Sequence, residues 1–435
     1  MGEIMLTNEK LNSLKKDFLN DKNNIIRKRT LNKVPMVDLV TDIDTEFEKN
    51  FDINIKTHGI TDQKRSGRCW AFSVTNILRE KIIDKCKLEN FELSVNYIAF
   101  YDKLEKFNLS MELLEKYYKK DKDIYSRNIK KILIEGIYDG GYYTWYASLI
   151  DKYGIVPSYV FPENYPSSNT DEINNILTRL VRKFYLDIEK GKDIKSLIEQ
   201  YIKDAYKIIS SVYGVPVDKF DFEYNDKDEK YHIDKDMTPK SFYDKYIGMD
   251  LLNDYVEVLS YEDEKFKYNN LYEIEEFTNI EEYKPCRYLN VKQDRLKELI
   301  LKQLKDKELV CFYSAVSSKR VEGIWLDLMD RYSDLFNVDL VLDGNSFIRT
   351  YGGINWGHAM IFTGAKTKEN KVIKWKVENS WGEKVGDKGY YTLTEKFFDR
   401  YVSCGIINKK YLSKEELHIL DTKPIIISKF DYKLD

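Results

Sequence analysis

The chain has 435 residues, 43% hydrophobic and 33% charged, with 70 basic and 73 acidic side chains and a net charge of -3. That length is enough for a sizeable core and roughly two to three domains. The balanced charge offers no global attraction for nucleic acid, and none is expected as a partner. The five cysteines form no CxxC, which argues against a disulfide framework or a Cys-rich metal site and for a reducing, cytoplasmic setting. Met1-Gly2-Glu3-Ile4-Met5 shows no basic-then-apolar leader, and no run approaches about 18 apolar residues, so neither a signal peptide nor a membrane contact is expected.

In chain order, residues 1–55 are charged and helical in places and read as an N-terminal arm. 'THGITDQKRSGRCWAFSVTNILREKIIDKC' reads as a Gly- and Ser-containing loop running into an amphipathic helix that starts near Cys69. Residues 91–215 are mainly helical in pattern. They are interrupted by 'DGGYYTWYASLIDKYGIVPSYVFPENYPSSNT', a Gly turn feeding a helix and then a surface loop. 'DKFDFEYNDKDEKYHI' at 218–233 predicts an antiparallel hairpin around a charged turn. From about 250 the pattern changes to strands: 'YVEVLS', 'LVCFYSAV', 'HAMIFTGAK', 'VIKWKVENS' and 'GYYTLT' are short β-branched or aromatic runs. Helices first and strands later is an α+β arrangement.

The chemistry concentrates in few residues. A thiol attacks a carbonyl only as thiolate, and a helix N-terminus or a cation favours that form. Cys69 stands where loop meets helix. Upstream, the Gln63 side-chain amide is placed to join the Cys69 N–H in an oxyanion hole, where loss of one donor typically costs about 10²–10³ in rate. Only four histidines exist, and His358 heads the apolar strand in 'GINWGHAMIFTG'. Asn379 ends the next strand in 'WKVENSWGEKVGDKGYY'. Its amide would hold one imidazole nitrogen while the other faces the thiol, with Trp381 covering that contact. His58 reads as a solvated loop residue, and His232 and His418 as structural or exposed. Cys86 belongs to the helix after Cys69. Cys311 and Cys404 read as strand-core residues, and Cys286, after Pro285, as an exposed loop residue.

'QKRSGRCWAF', 'GHAM' and 'ENSWGEKVGDKGYY' resemble the three active-site blocks of papain-like cysteine peptidases, with Gln, Cys, His and Asn in the same order. Ser66 stands where secreted papain relatives usually carry a disulfide cysteine. The long gap between Cys69 and His358 is similar to that of the bleomycin hydrolase and aminopeptidase C branch, and the likeness covers nearly the whole chain. The resemblance implies a papain-like two-lobed core, helical lobe plus β-barrel-like lobe, with large helical insertions and a β-hairpin hook. The corresponding segments are an arm at 1–55, a helical lobe at 56–185, the insertion at 186–250, a β-rich lobe at 251–423 and a C-terminal arm at 424–435. It further implies a homohexamer and a cysteine aminopeptidase acting on peptide substrates through Cys69, His358, Asn379 and Gln63, with no metal or organic cofactor. Gly140 and Gly141 match the segment whose backbone pairs with extended substrate, and Trp381 lines the same site. Asp435 falls at the arm end that fixes a peptide's free amino group. By this resemblance the arm is about two residues short. At ~3.3 Å per extended residue that leaves about 6–7 Å of extra cleft and an expectation of broader exo- or endopeptidase cleavage. The rival expectation is a binding protein on a retired peptidase scaffold; the intact four-residue set argues against it.

Overall fold

The computed structural model describes residues 5–41, 49–261, 264–316, 320–321, 323–342, 357–369 and 371–432. Cys69–Cys86 is the first helix of the helical part. Trp70, Ala71, Phe72, Val74, Leu78, Ile82 and Ile83 are buried along it, and Lys87 ends it in the left-handed conformation at φ 53°, with its N–H on the Ile83 carbonyl. Val95–Asp121 follows, capped by Ser94, whose side chain accepts the Tyr97 N–H. It packs against Asp171–Glu189 and Ile194–Tyr213, and Phe100, Leu177, Val181, Phe184 and Ile209 meet in one core. The helices Asn8–Asn20 and Lys22–Leu31 bury no residue.

The predicted hairpin is Phe220–Asn225 paired with Tyr231–Met237, its return strand longer than expected. The strand runs after residue 250 enter one mixed 12-stranded sheet. At its centre, His358–Lys368 pairs antiparallel with Val310–Ser314 on one side and Lys371–Glu378 on the other. Val402–Asn408 then pairs with both Val310–Ser314 and Tyr255–Leu259. Ile53–Asn54 joins the sheet on His358–Lys368, and Ile425–Ile427 runs parallel to Asn270–Ile274.

The central strand is apolar without alternation because both its faces are covered. Met360 and Phe362 pack with Leu296 and Ile300 of the helix Gln293–Lys305, while Ala359 joins Cys311, Tyr313 and Cys404 against the helical core. The sheet therefore divides a helical core from a second apolar core. The α+β architecture agrees with the sequence pattern.

Two sequence expectations are corrected. Cys286 is not an exposed loop residue. Its side chain is fully buried in the helical core, and its N–H donates to the Phe277 carbonyl at 3.0 Å. His58 is not solvated, because its Nδ1 lies 2.6 Å from Glu80 Oε2 in a half-buried pair. Both were missed for the same reason: their partners are distant in sequence. Among the described residues, no helix is long and apolar enough to cross a membrane.

Candidate active site

The site forms where the helix Cys69–Cys86 meets the open end of the central hairpin. His358 begins the strand His358–Lys368, and Asn379 follows the returning strand Lys371–Glu378. An antiparallel return places these two positions at the same end. Asn379 Oδ1 lies 2.7 Å from His358 Nε2 and also accepts the Ser380 N–H at 2.8 Å. The second bond identifies that atom as an acceptor, so Nε2 donates to it. Nδ1 is left to exchange a proton elsewhere. The Trp381 ring stacks on the imidazole at 4.7 Å and 23°, and both His358 and Asn379 are buried.

Cys69 is the first residue of its helix, and no side chain caps that end. The adjacent Ala359 N–H donates to Cys69 Sγ at 3.4 Å, which sets the sulfur beside the residue following His358. Burial pushes the thiol up, and the Asp139 charge adds to this; the N–H groups of Ala359, Trp70 and Cys69 act in the opposite direction without overcoming it. The helix end alone therefore does not generate the thiolate. A cationic neighbour is what favours the thiolate in such a site.

Gln63 is also buried. Its Nε2 donates to the Ser66 carbonyl at 2.7 Å and its Oε1 accepts from Ser380 Oγ at 2.6 Å. The Gln63 N–H meets the Ser380 carbonyl at 2.8 Å. Ser380 thus joins Gln63 to Asn379. One Nε2 hydrogen is spent on Ser66, and the other is engaged by none of the described residues.

The loop entering the helix is held by charge. Buried Arg68 makes a two-pronged contact with Glu163 at 2.9 and 3.0 Å and donates to the Ser167 carbonyl at 2.7 Å. The Gly67 N–H donates to Asp139 Oδ2 at 2.9 Å, and a Cβ on Gly67 would lie 2.9 Å from the Asp139 Cβ, so only glycine fits. Burial pushes the Asp139 carboxyl up, but the Lys103 ammonium at 2.6 Å, with Thr170 and the Gly67 N–H, holds it well below the usual carboxylate range.

Gly140 and Gly141 lie next to this anchor. A Cβ on Gly141 would come within 2.3 Å of the Trp70 ring, whereas on Gly140 the nearest atom would be 3.4 Å away. Asp435 lies outside the described residues.

Sequence reasoning brought Cys69, His358, Asn379, Gln63 and Trp381 together, and the structure places them in one site. It missed Arg68, Lys103, Lys106, Asp139, Glu257 and Ser380. The available signal was charge inside an apolar pattern: Asp102, Lys103 and Lys106 interrupt the buried stripe of Val95–Asp121. Among the described residues no cluster of His, Cys, Asp and Glu could hold a metal ion.

The family model of the Peptidase C1-like family matches residues 5–432. The chain belongs to this family, the bleomycin hydrolase and aminopeptidase C branch of the papain-like cysteine peptidases. This papain-like peptidase is 38% identical to aminopeptidase C of Lactobacillus helveticus over 85% of its own length and 84% of the relative's. It is 34% identical to aminopeptidase G of Lactobacillus delbrueckii subsp. lactis, over 88% of each chain. Its fold is similar to the crystal structure of PepW from Lactobacillus rhamnosis HN001, with a TM-score of 0.91, 34% identity and 99% of both chains covered.

Proposed function

We propose that this cysteine peptidase removes residues from the N-termini of peptides, with Cys69 as nucleophile, His358 as base, Asn379 as its orienting group and Gln63 in the oxyanion hole. The carrying observation is the geometry around one sulfur. Cys69 Sγ lies 3.4 Å from the Ala359 N–H, and the neighbouring His358 is held through Nε2 by Asn379 at 2.7 Å. His358 Nδ1 takes the thiol proton, and the thiolate attacks the scissile carbonyl. The free Gln63 Nε2 hydrogen and the Cys69 N–H receive the oxyanion. His358 then protonates the leaving amine, and water releases the acyl-enzyme. Trp381 keeps water from the imidazole, and Gly140 and Gly141 offer main chain to an extended peptide.

The exopeptidase part of the reading is placed on the C-terminal segment. Lys429 is buried, with Nζ 2.5 Å from Glu276 Oε2 and 2.8 Å from the Tyr117 hydroxyl. Arg127 lies 3.9 Å over the Phe430 ring. These contacts tie the segment to the helical part, and the reading assigns amine recognition to Asp435 beyond it. It also takes the enzyme to be a cytosolic homohexamer with some tolerance for longer or internal cleavage. Product identification on peptides with free and acetylated N-termini tests the proposal. Single-residue release from free peptides is expected, and a C69A protein should release nothing. Equal cleavage of the acetylated peptide would overturn the aminopeptidase reading, and native mass spectrometry decides the assembly.

A further inference from the structure

The carbonyls on either side of Gly141 are hydrogen-bonded. Those of Tyr138 and Gly140 accept from Lys106 Nζ at 3.1 and 2.7 Å, that of Asp139 accepts from Trp70 Nε1 at 2.8 Å, and that of Tyr142 accepts from the Tyr146 N–H at 3.0 Å. The exception is Gly141. Among the described residues, neither its N–H nor its C=O has a hydrogen-bond partner. Its backbone lies against the Trp70 ring, next in sequence to Cys69.

Lys106 sits on the helix Val95–Asp121 and is 6% exposed. An ammonium has three donors, and all three are used: two on the carbonyls that flank Asp139 and one on Asp102 Oδ2 at 2.6 Å. Asn279 Nδ2 holds the other Asp102 oxygen at 3.1 Å. The ammonium also lies 5.6 Å from the Trp70 ring centroid and 4.8 Å from that of Tyr138. A buried ammonium is costly unless fully paired. An aliphatic side chain would fill the same space but would leave the Tyr138 and Gly140 carbonyls to turn. The lysine turns both carbonyls inward, leaving the Gly141 N–H and C=O as the unpaired peptide edge beside Cys69.

We propose that Lys106 is a positioning residue: by gripping the Tyr138 and Gly140 carbonyls it presents Gly141 as the one main-chain edge to which a peptide substrate is paired. This rests on the reading that the Cys69 site cleaves peptides. Lys106 touches no reacting atom, and its effect passes through Gly140.

Replacing Lys106 alone strands a buried carboxylate, so K106M would not separate misfolding from loss of function. The double variant D102N/K106M removes both charges and keeps an oxygen for Asn279. Two rates are compared in wild type and double variant: hydrolysis of an N-terminally free peptide, and alkylation of Cys69 by iodoacetamide, which requires no main-chain pairing. The expected result is a fall of about tenfold in kcat/KM for the peptide, carried mainly by KM, with the alkylation rate unchanged. Unchanged peptide kinetics would overturn the proposal, and so would an equal fall in both rates, which would make the pair merely structural. Wild type measured alongside separates the two readings. Turnover by wild type with an unaffected variant defeats the role of Lys106 alone, whereas no turnover by wild type defeats the peptidase reading and this role together.

Discussion

Asn379 holds the His358 ring through a 2.7 Å hydrogen bond between residues 21 positions apart, and the same oxygen accepts the Ser380 N–H. A single acceptor thereby fixes which imidazole nitrogen carries the hydrogen and leaves Nδ1 for proton exchange. N379A leaves the ring without that constraint. Its kcat should fall by about a hundredfold with little change in KM, and N379D, which keeps the acceptor, should retain more activity than N379A. Steady-state kinetics checks both; an N379A enzyme with wild-type kcat would remove Asn379 from the mechanism.

The two adjacent glycines should respond differently to a methyl group. On Gly141 it would lie 2.3 Å from the Trp70 ring, which is buried and tied by Nε1 to the Asp139 carbonyl. G141A is expected to cost about 1–3 kcal/mol of stability through overpacking and to impair peptide hydrolysis. On Gly140 the contact would be an ordinary 3.4 Å to the Tyr138 ring, so G140A should unfold at nearly the wild-type denaturant midpoint. Urea titrations of the two variants decide; equal midpoints would contradict the packing argument.

A buried charge network ties the helix Cys69–Cys86 to the strand that ends before Asn379. Arg79 lies 2.8 Å from Glu80 and 3.8 Å from Glu378, and Asn76 Nδ2 donates to Glu378 at 3.0 Å. Arg79 and Glu378 are both 1% exposed. Removing the guanidinium leaves Glu378 as an uncompensated buried carboxylate, so R79M should lose about 3–5 kcal/mol. Chemical denaturation measures this, and a loss below about 1 kcal/mol would show that the network is dispensable.

Glu257 sets a pH dependence of stability. Its carboxylate oxygen accepts the Thr144 N–H at 3.1 Å and hydroxyl at 2.7 Å, at the start of the helix that follows Gly141. Burial outweighs those bonds and raises its pKa from 4.5 to about 7. Between those values the unfolded chain has released this proton while the folded protein still holds it. The folded state therefore binds more protons, and this group makes stability fall as pH rises through that window, by about 3 kcal/mol in all. E257Q should flatten that slope and be the more stable protein at pH 8. Thermal unfolding of both proteins from pH 5 to 8 tests it; parallel curves would refute it.

The readable part of the site was the part made of local signals. Cys69 at a loop-to-helix junction, His358 at the head of an apolar run and Asn379 at the end of the next run each carry their own sequence context, and one hairpin joins the last two. Lys103 and Lys106 carried only a weak signal, because a charge in a helical pattern usually marks a solvated face, and Asp139 stands in a loop with no pattern of its own. Cys286 was misread because a residue after proline looks exposed until the Phe277 carbonyl and the core around it are in place.

By itself the sequence determined the order of helices and strands and the family, and it pointed to Cys69, His358, Asn379 and Gln63, since periodicity and short motifs act over a few neighbouring residues. The tertiary structure alone decided which carbonyls Lys106 takes, that Gly141 is left unpaired, that Glu257 caps a helix from another element, and that burial opposes ionisation of Cys69. Those outcomes depend on burial and on partners distant in the chain, and both exist only once the helical part closes over the sheet.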